Sequence, residues 1–269
     1  MRKIVLILFV LVSVTFARDT FKEAAINGYF EAEGYSAPGQ NRFAAMISAK
    51  VDAQRRLLEI IKGAKLTSET TILNGVLKSD VMITRINGII RGARMIDREY
   101  DRSSGTAMIR LAIGYKEFLG KAMQDESFKE AFQESARVDA KPFSVQKVIE
   151  ENVVIHYDGL IVDVSSTDME PAYINRIYSN QKIVFDPTNI PQQVFIQRGY
   201  SSYTTSIGKA KAILDGFGSR NPLIIKAVST TKLKSDVIID QNNADKVVTS
   251  NLKNSFLESA KIVFIFGNN

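Results

Sequence analysis

NRFAAMISAKVDAQRRLLEIIK, residues 41–62, is the strongest helical pattern in the chain. At 100° per residue, Phe43, Met46, Ile47, Leu57, Leu58 and Ile61 project onto one arc, and Ser48, Asp52, Arg55 and Glu59 onto the other side. Asp52 stands four residues before Arg56, the favourable acid-before-base order. Gly63 follows as a stop. Lys50 and Gln54 fall inside the apolar arc. On one reading Lys50 snorkels to water and Gln54 bonds a backbone group. On the other, both make a polar contact with another subunit or domain. With Arg91 and Arg94 they form the candidate interface set.

The segments around this helix fix what it packs on. Ala25 to Ser36 alternates with period two, placing Ile26, Gly28, Phe30, Ala32 and Gly34 on one face of a strand. Its small inward residues let a helix approach closely, and Pro38-Gly39 ends it. Ala64 to Leu73, rich in Thr and β-branched residues, reads as a second strand. Ser79 is an N-cap, with Asp80 set for the helix dipole, before a short helix carrying Val81, Met82, Ile83, Ile86, Ile89 and Ile90. A strand from Gly92 to Tyr100, a turn at 101–105 and an alternating strand from Thr106 to Tyr115 complete a β-α-β-α-β-β order.

Lys116 to Ala136 reads as a helix interrupted at 125–127, and Arg137 to Ser144 has no periodicity. Beyond it, strands are expected at 153–164, 182–185, 193–197, 223–228, 237–240 and 262–266, with helices at 205–214 and 242–258. The whole is an α+β or α/β protein of two layered domains, the first with helices on a mixed, partly antiparallel sheet. The expected divisions are 1–17, 18–136, a linker at 137–147, and 148–269.

The first seventeen residues read as an address. Arg2-Lys3, the apolar run from Ile4 to Phe16 and the exit at Ala17 are the three parts of a secretory signal peptide. Cleavage is expected between Ala17 and Arg18. The apolar run falls short of the roughly 20 residues a membrane span needs, a single anchor being the alternative. The mature chain is expected in the periplasm, without a transmembrane span and without nucleic-acid partners.

The chain carries +6 and no Cys, so each domain stands on a hydrophobic core without disulfides. From Arg18 to Tyr115 there are 15 basic and 11 acidic residues, against 18 and 18 from Lys116 onward. This mild basic bias reads as a mixed-charge surface, or as a face for anionic headgroups or an acidic partner.

Chemistry-bearing patterns are sparse. His156 is the single histidine, which argues against triads and His-rich metal sites. Gly216-Phe217-Gly218 follows a predicted helix, and Asn221 stands where a dinucleotide loop needs Gly. Asp163, Asp168 and Glu170 read as loop acids, and Asp240 and Asp245 as a strand end and a helix start. The expectation is a non-enzyme with no catalytic residues, no cofactor and no bound metal.

One resemblance adds to this. Ala49-Lys50-Val51-Asp52-Ala53-Gln54-Arg55-Arg56-Leu57-Leu58-Glu59 leads to Ile61 and Gly63, then Ser79-Asp80, Gly88 and Arg91-Gly92-Ala93. In these residues Arg18 to Tyr115 resembles the domain shared by the small surface lipoprotein of Helicobacter and the flagellar accessory proteins FlgP and FlgT. The resemblance implies a non-catalytic periplasmic or outer-membrane role, often in flagellar disks and rings. It also implies self-association or envelope and flagellar partners. This chain lacks the acylated Cys of the lipoprotein members, which shifts the expectation toward a soluble periplasmic form with at most peripheral outer-membrane contact. The region after it resembles a module that accompanies this domain in larger relatives and has no assigned chemistry.

Overall fold

The computed structural model describes residues 21–145 and 156–267. The chain is an α+β protein of two compact units. One comprises residues up to Lys65 together with Thr71–Phe132, and the other Leu66–Thr70 with residues from Gln133 onward. The expected signal peptide, with Ala17 and Arg18, lies outside the described residues. No helix among the described residues is long and apolar enough to cross a membrane.

In the first unit, helix α1 (residues 21–27) leads into β1 (Tyr29–Tyr35). Then come α2 (Arg42–Gly63), α3 (Ile72–Gly75), α4 (Asp80–Arg91), β2 (Arg94–Asp101), β3 (Thr106–Gly114), α5 (Tyr115–Ala122) and α6 (Glu126–Ser135), whose residues from Gln133 are counted with the second unit. The strands form an antiparallel sheet in the order β1-β3-β2. Phe30, Ala32, Ala107, Ile109, Leu111 and Ile113 are buried. On the opposite face Arg110 pairs with Glu31 and Glu33.

Three expectations for this unit are corrected. Ala25 to Asn27 are helical, so β1 starts four residues later than the alternation suggests. Phe21 closes this end of the core, its ring 6.1 Å from Phe30 and 5.8 Å from Tyr115. Ala64 to Leu73 forms no strand, and the six-element order loses its second β. Lys65 and Thr71 make one isolated bridge, and Thr71 then caps α3. Thr67 Oγ1 accepts from the N–H groups of Glu69 and Thr70, folding the intervening residues into a turn.

The larger correction concerns which side of α2 packs. Its buried residues are Ala45, Ala49, Ala53, Leu57, Leu58 and Ile61, five of them in one i, i+4 row. Phe43 is 77 % exposed, Ile47 49 % and Val51 59 %. The alanines face the sheet because β1 offers Gly34 there. A Cβ on Gly34 would stand 2.6 Å from Ala53 Cα. Such close backbone approach leaves no room for Phe or Ile on the inward side.

The second unit holds a parallel sheet, β7 (Ser202–Thr204), β11 (Ile262–Ile265), β4 (Leu160–Asp163) and β8 (Leu223–Lys226), in that spatial order. The continuous apolar runs of β4 and β11 are the mark of parallel strands covered on both faces. Helix α8 (Ile207–Gly216) seats Ala210 and Leu214 against Ile161 and Val263. A mixed sheet runs in the order β6 (Lys182–Phe185), β5 (Ile177–Ser179), β10 (Val237–Ile238) and β9 (Ser229–Thr230). Helix α9 (Gln241–Asn254) precedes β11.

Gln193 to Gln197, expected as a strand, lies within helix α7 (Gln192–Arg198). Pro191 opens this helix and Gly199, at φ 73°, closes it. Phe195 is its buried anchor, stacked 4.4 Å from the Tyr200 ring.

Candidate functional site

The first unit presents an open groove of about 440 Å³ between the N-terminal turns of α2 and the inward side of β2. Its position follows from local chemistry. Asn41 Oδ1 accepts from Ala44 N–H at 3.0 Å and starts α2. Gly39 and Gln40 donate to the carbonyls of Ser104 and Gly105, tying the helix start to the β2–β3 turn. Tyr100 Oη donates to the Gln40 carbonyl at 3.0 Å. Gly105 is required here: its φ is +66°, and a Cβ would stand 2.8 Å from Gln40 N. At the other end Asp52 accepts from Tyr35 N–H at 3.1 Å and from Arg55 and Arg56. Burial raises its carboxyl, but these three donors outweigh it and hold the group below the ordinary carboxylate range.

The floor and walls are Phe43, Met46, Ile47, Met95 and Ile109. Arg42, Lys50 and Arg98 line the same groove. Register explains how Arg98 comes to face it. Met95 is opposite Leu111 and Arg98 opposite Ile109, both inward residues, because a bulge between Met95 and Asp97 lets Ile96 slip out of the alternation. Among the described residues, no carboxylate pairs with Arg42, Lys50 or Arg98.

Of the four candidate interface residues, Lys50 is exposed and lines the groove. Gln54 is half-buried one turn further along α2. Arg91 is exposed at the end of α4. Arg94 opens β2 opposite Ala112, on the far side of the sheet from Met95. The structure therefore does not gather the four into one patch. Arg42 and Arg98 were not readable as partners of Lys50, because only the bulge turns Arg98 inward. The alanine row in α2 was the available signal: it marks the packed side of the first turns and so assigns Phe43 and Ile47 to the surface, while Leu57, Leu58 and Ile61 of the same arc stay packed.

The second unit carries a cleft of about 250 Å³ whose lining includes Ser68, Arg176, Tyr178, Thr231 and Asp236. Arg176 Nε donates to Asp186 at 3.1 Å, and its guanidinium also donates to the Ala136 carbonyl. Its backbone N–H donates to Asp236 Oδ1 at 2.7 Å. Burial pushes the Asp236 carboxyl above its ordinary value despite that donor. Burial likewise pushes the Tyr178 phenol up to about 12. Thr231 Oγ1 is buried without a hydrogen-bond partner.

The remaining chemistry-bearing residues have local roles. The His156 carbonyl accepts from Asn221 Nδ2, and Asp163 accepts from Ser165 N–H. Asp168 accepts from Thr230 Oγ1 and pairs with Lys234 at 2.9 Å. Asp240 caps α9 through Asn243 N–H, and Asp245 accepts from Gln241. Phe217 lies under the Arg198 guanidinium at 5.1 Å. Among the described residues, no three His, Cys, Asp or Glu side chains are grouped to hold a metal ion.

The fold and groove define a two-unit α+β protein whose first unit carries an exposed apolar, cationic face. Residues 159–268, the greater part of the second unit, are similar to the family described as Treponema pallidum Tp0624, second domain. No curated protein matches the chain.

Proposed function

We propose that this is a non-catalytic assembly protein of the bacterial envelope, exported to the periplasm and docking partners on the α2–β2 face of its first unit. The observation that carries the reading is the groove itself. Phe43, Ile47 and Val51 form one exposed i, i+4 row on α2, beside a strand whose inward Met95 is also exposed. Contiguous exposed apolar surface rimmed by polar groups is the signature of an interaction face. The resemblance of Arg18 to Tyr115 to the Helicobacter lipoprotein and the flagellar proteins FlgP and FlgT supports a flagellar disk or ring as the setting.

Deletion of the gene, scored for swimming with the motor imaged in the same cells, tests this. Loss of a basal disk or ring, restored by the wild-type chain but not by Phe43→Asp, is the expected result. Normal motors and motility remove the flagellar setting. Recovery of the chain in the cytoplasm alone removes the envelope reading.

A second reading has its own observation. The cleft around Arg176 and Asp236 brings a buried cation, a buried acid and the unpartnered Thr231 hydroxyl to one place. Convergent polar groups in a concavity suit a small polar ligand such as a peptidoglycan fragment. Saturable binding lost in Thr231→Val would favour it.

A further inference from the structure

We propose that the α2–β2 groove receives an amphipathic helix of a partner protein, its apolar stripe flanked by carboxylates. This rests on the docking reading above and names the chemistry of the docked partner. α2 packs chiefly on β1 and β3, and every residue of β2 except Tyr100 is exposed. Strands lie about 4.8 Å apart and packed helices about 8–10 Å between axes, so with α2 over β1 and β3 a second helix beside it would lie along the outer edge of β2. The place beside α2, over β2, is open. The surface it offers is helix-shaped: Phe43, Ile47 and Val51 form an i±4 ridge of the kind that interdigitates with another helix. The stretch from Arg42 to Lys50 rises about 12 Å, or two turns of contact.

Charge selects the occupant. Arg42, Lys50 and Arg98 converge on this groove, and among the described residues none has a carboxylate partner. A second copy seated face to face would set these cations against their own images. Pairing β2 with itself is also poor: centring on Met95 engages only Arg94 to Ile96 of the strand, and the longer registers oppose like charges. Two-fold antiparallel pairing centred on Asp97, Arg98 or Glu99 opposes that charge to its copy, and centring on Ile96 opposes Arg94 to Arg98. The apolar leader of this chain brings Arg2 and Lys3 and no acid. A flat anionic membrane does not reach Ile109, which is 1 % exposed at the floor. An acidic amphipathic helix suits the site on three counts, because it enters a concave groove, supplies an apolar ridge and neutralises the three cations.

The test uses the full chain and a fluorescein-labelled amphipathic peptide of about four helical turns, with Leu on one stripe and Glu flanking it. Its twin carries Lys for each Glu. The acidic peptide is expected to bind at least about tenfold tighter than its twin, and more weakly as salt rises. The Lys50→Glu/Arg98→Glu variant is expected to lose that preference, with its thermal melt unchanged. Equal binding of the twins, no binding of the acidic peptide, or acidic binding that survives the double change each overturns the proposal. Co-sedimentation with phosphatidylcholine–phosphatidylglycerol vesicles, lost in the same variant while the acidic peptide fails to bind, overturns it in favour of a lipid surface. A photocrosslinker at Ile47 in cells separates the two levels. A crosslinked protein that enters through a basic or neutral segment leaves the docking reading standing and removes the acidic helix. Absence of any crosslink removes both.

Discussion

Gly34 of β1 sits against the backbone of Ala53 in α2, so close that a Cβ on residue 34 would overlap the Ala53 nitrogen and the Ala49 carbonyl oxygen. Both obstacles are main chain, so no rotamer change makes room. Gly34→Ala must lift α2 off the sheet. The expected cost is about 3 kcal/mol, the upper part of the range for overpacking. For a unit of this size that is a fall of roughly 10–20 °C in its melting transition. Hydrogen exchange across α2 should rise in parallel. An unchanged melt would mean that the helix is not seated as described.

Two large side chains of the same helix should behave oppositely. Leu57 is fully buried and Phe43 is 77 % exposed. Leu57→Ala should cost about 3 kcal/mol through lost burial and the cavity left behind. Phe43→Ser should change stability by no more than about 0.5 kcal/mol. Urea midpoints of the two variants, measured with the wild type, decide this. A destabilising Phe43→Ser would place Phe43 on the packed side of α2 with Leu57.

The same contrast shows what was legible in the sequence. The α2 helix, the Ser79 cap, the β2–β3 hairpin and the buried runs of β4 and β11 are all local patterns, set by periodicity, capping and turn residues. The orientation of α2 was not legible from hydrophobicity. Alanine contributes little to a hydrophobic arc, yet the row Ala45, Ala49, Ala53 packs because Gly34 demands it. The groove depended on a bulge at Ile96, and a single inserted residue leaves no mark in composition. The short strands β5, β7 and β9 have two or three residues each, too few for a period. The cleft in the second unit gathers Ser68, Arg176 and Asp236 from distant stretches, which spacing alone does not bring together.

Asp158 pins the loop that follows α8. Its carboxylate accepts from Ser219 Oγ at 2.7 Å, Arg220 N–H at 2.7 Å and Asn221 N–H at 2.8 Å. Burial opposes ionisation, but these donors hold the carboxyl below the ordinary range. Asp158→Ala should destabilise the second unit by about 2 kcal/mol, since it strands three donors. The pH sign follows from the depressed value. The contribution is present above the unfolded Asp value of about 3.9 and is lost as pH falls through the lower folded value. Acid unfolding of wild type and variant should therefore converge at low pH. A constant gap down to the end of the acid limb would contradict the assignment.

Asp236 should show the opposite slope. It is 4 % exposed, and burial outweighs the Arg176 N–H and guanidinium in setting its carboxyl above the ordinary value. A raised folded value means that the fold holds the proton more tightly than the unfolded chain does. That contribution is present below about pH 3.9 and is lost as pH rises through the folded value. Asp236→Asn keeps an oxygen to accept from Arg176 N–H and removes the buried charge. Relative to wild type, this variant should gain stability as pH is raised from about 4 to 7. Arg176→Met is the counterpart. It removes the partner of Asp186 at 3.1 Å and the cation nearest Asp236, leaving two sequestered carboxylates without it. Breaking a buried pair from one side costs about 3–5 kcal/mol, and the loss should shrink when Asp236→Asn is added. Urea midpoints of the four proteins across that pH range measure both effects. Strict additivity of the two changes, or an Asp236→Asn variant that weakens as pH rises, would show that Arg176 and Asp236 do not share one electrostatic site.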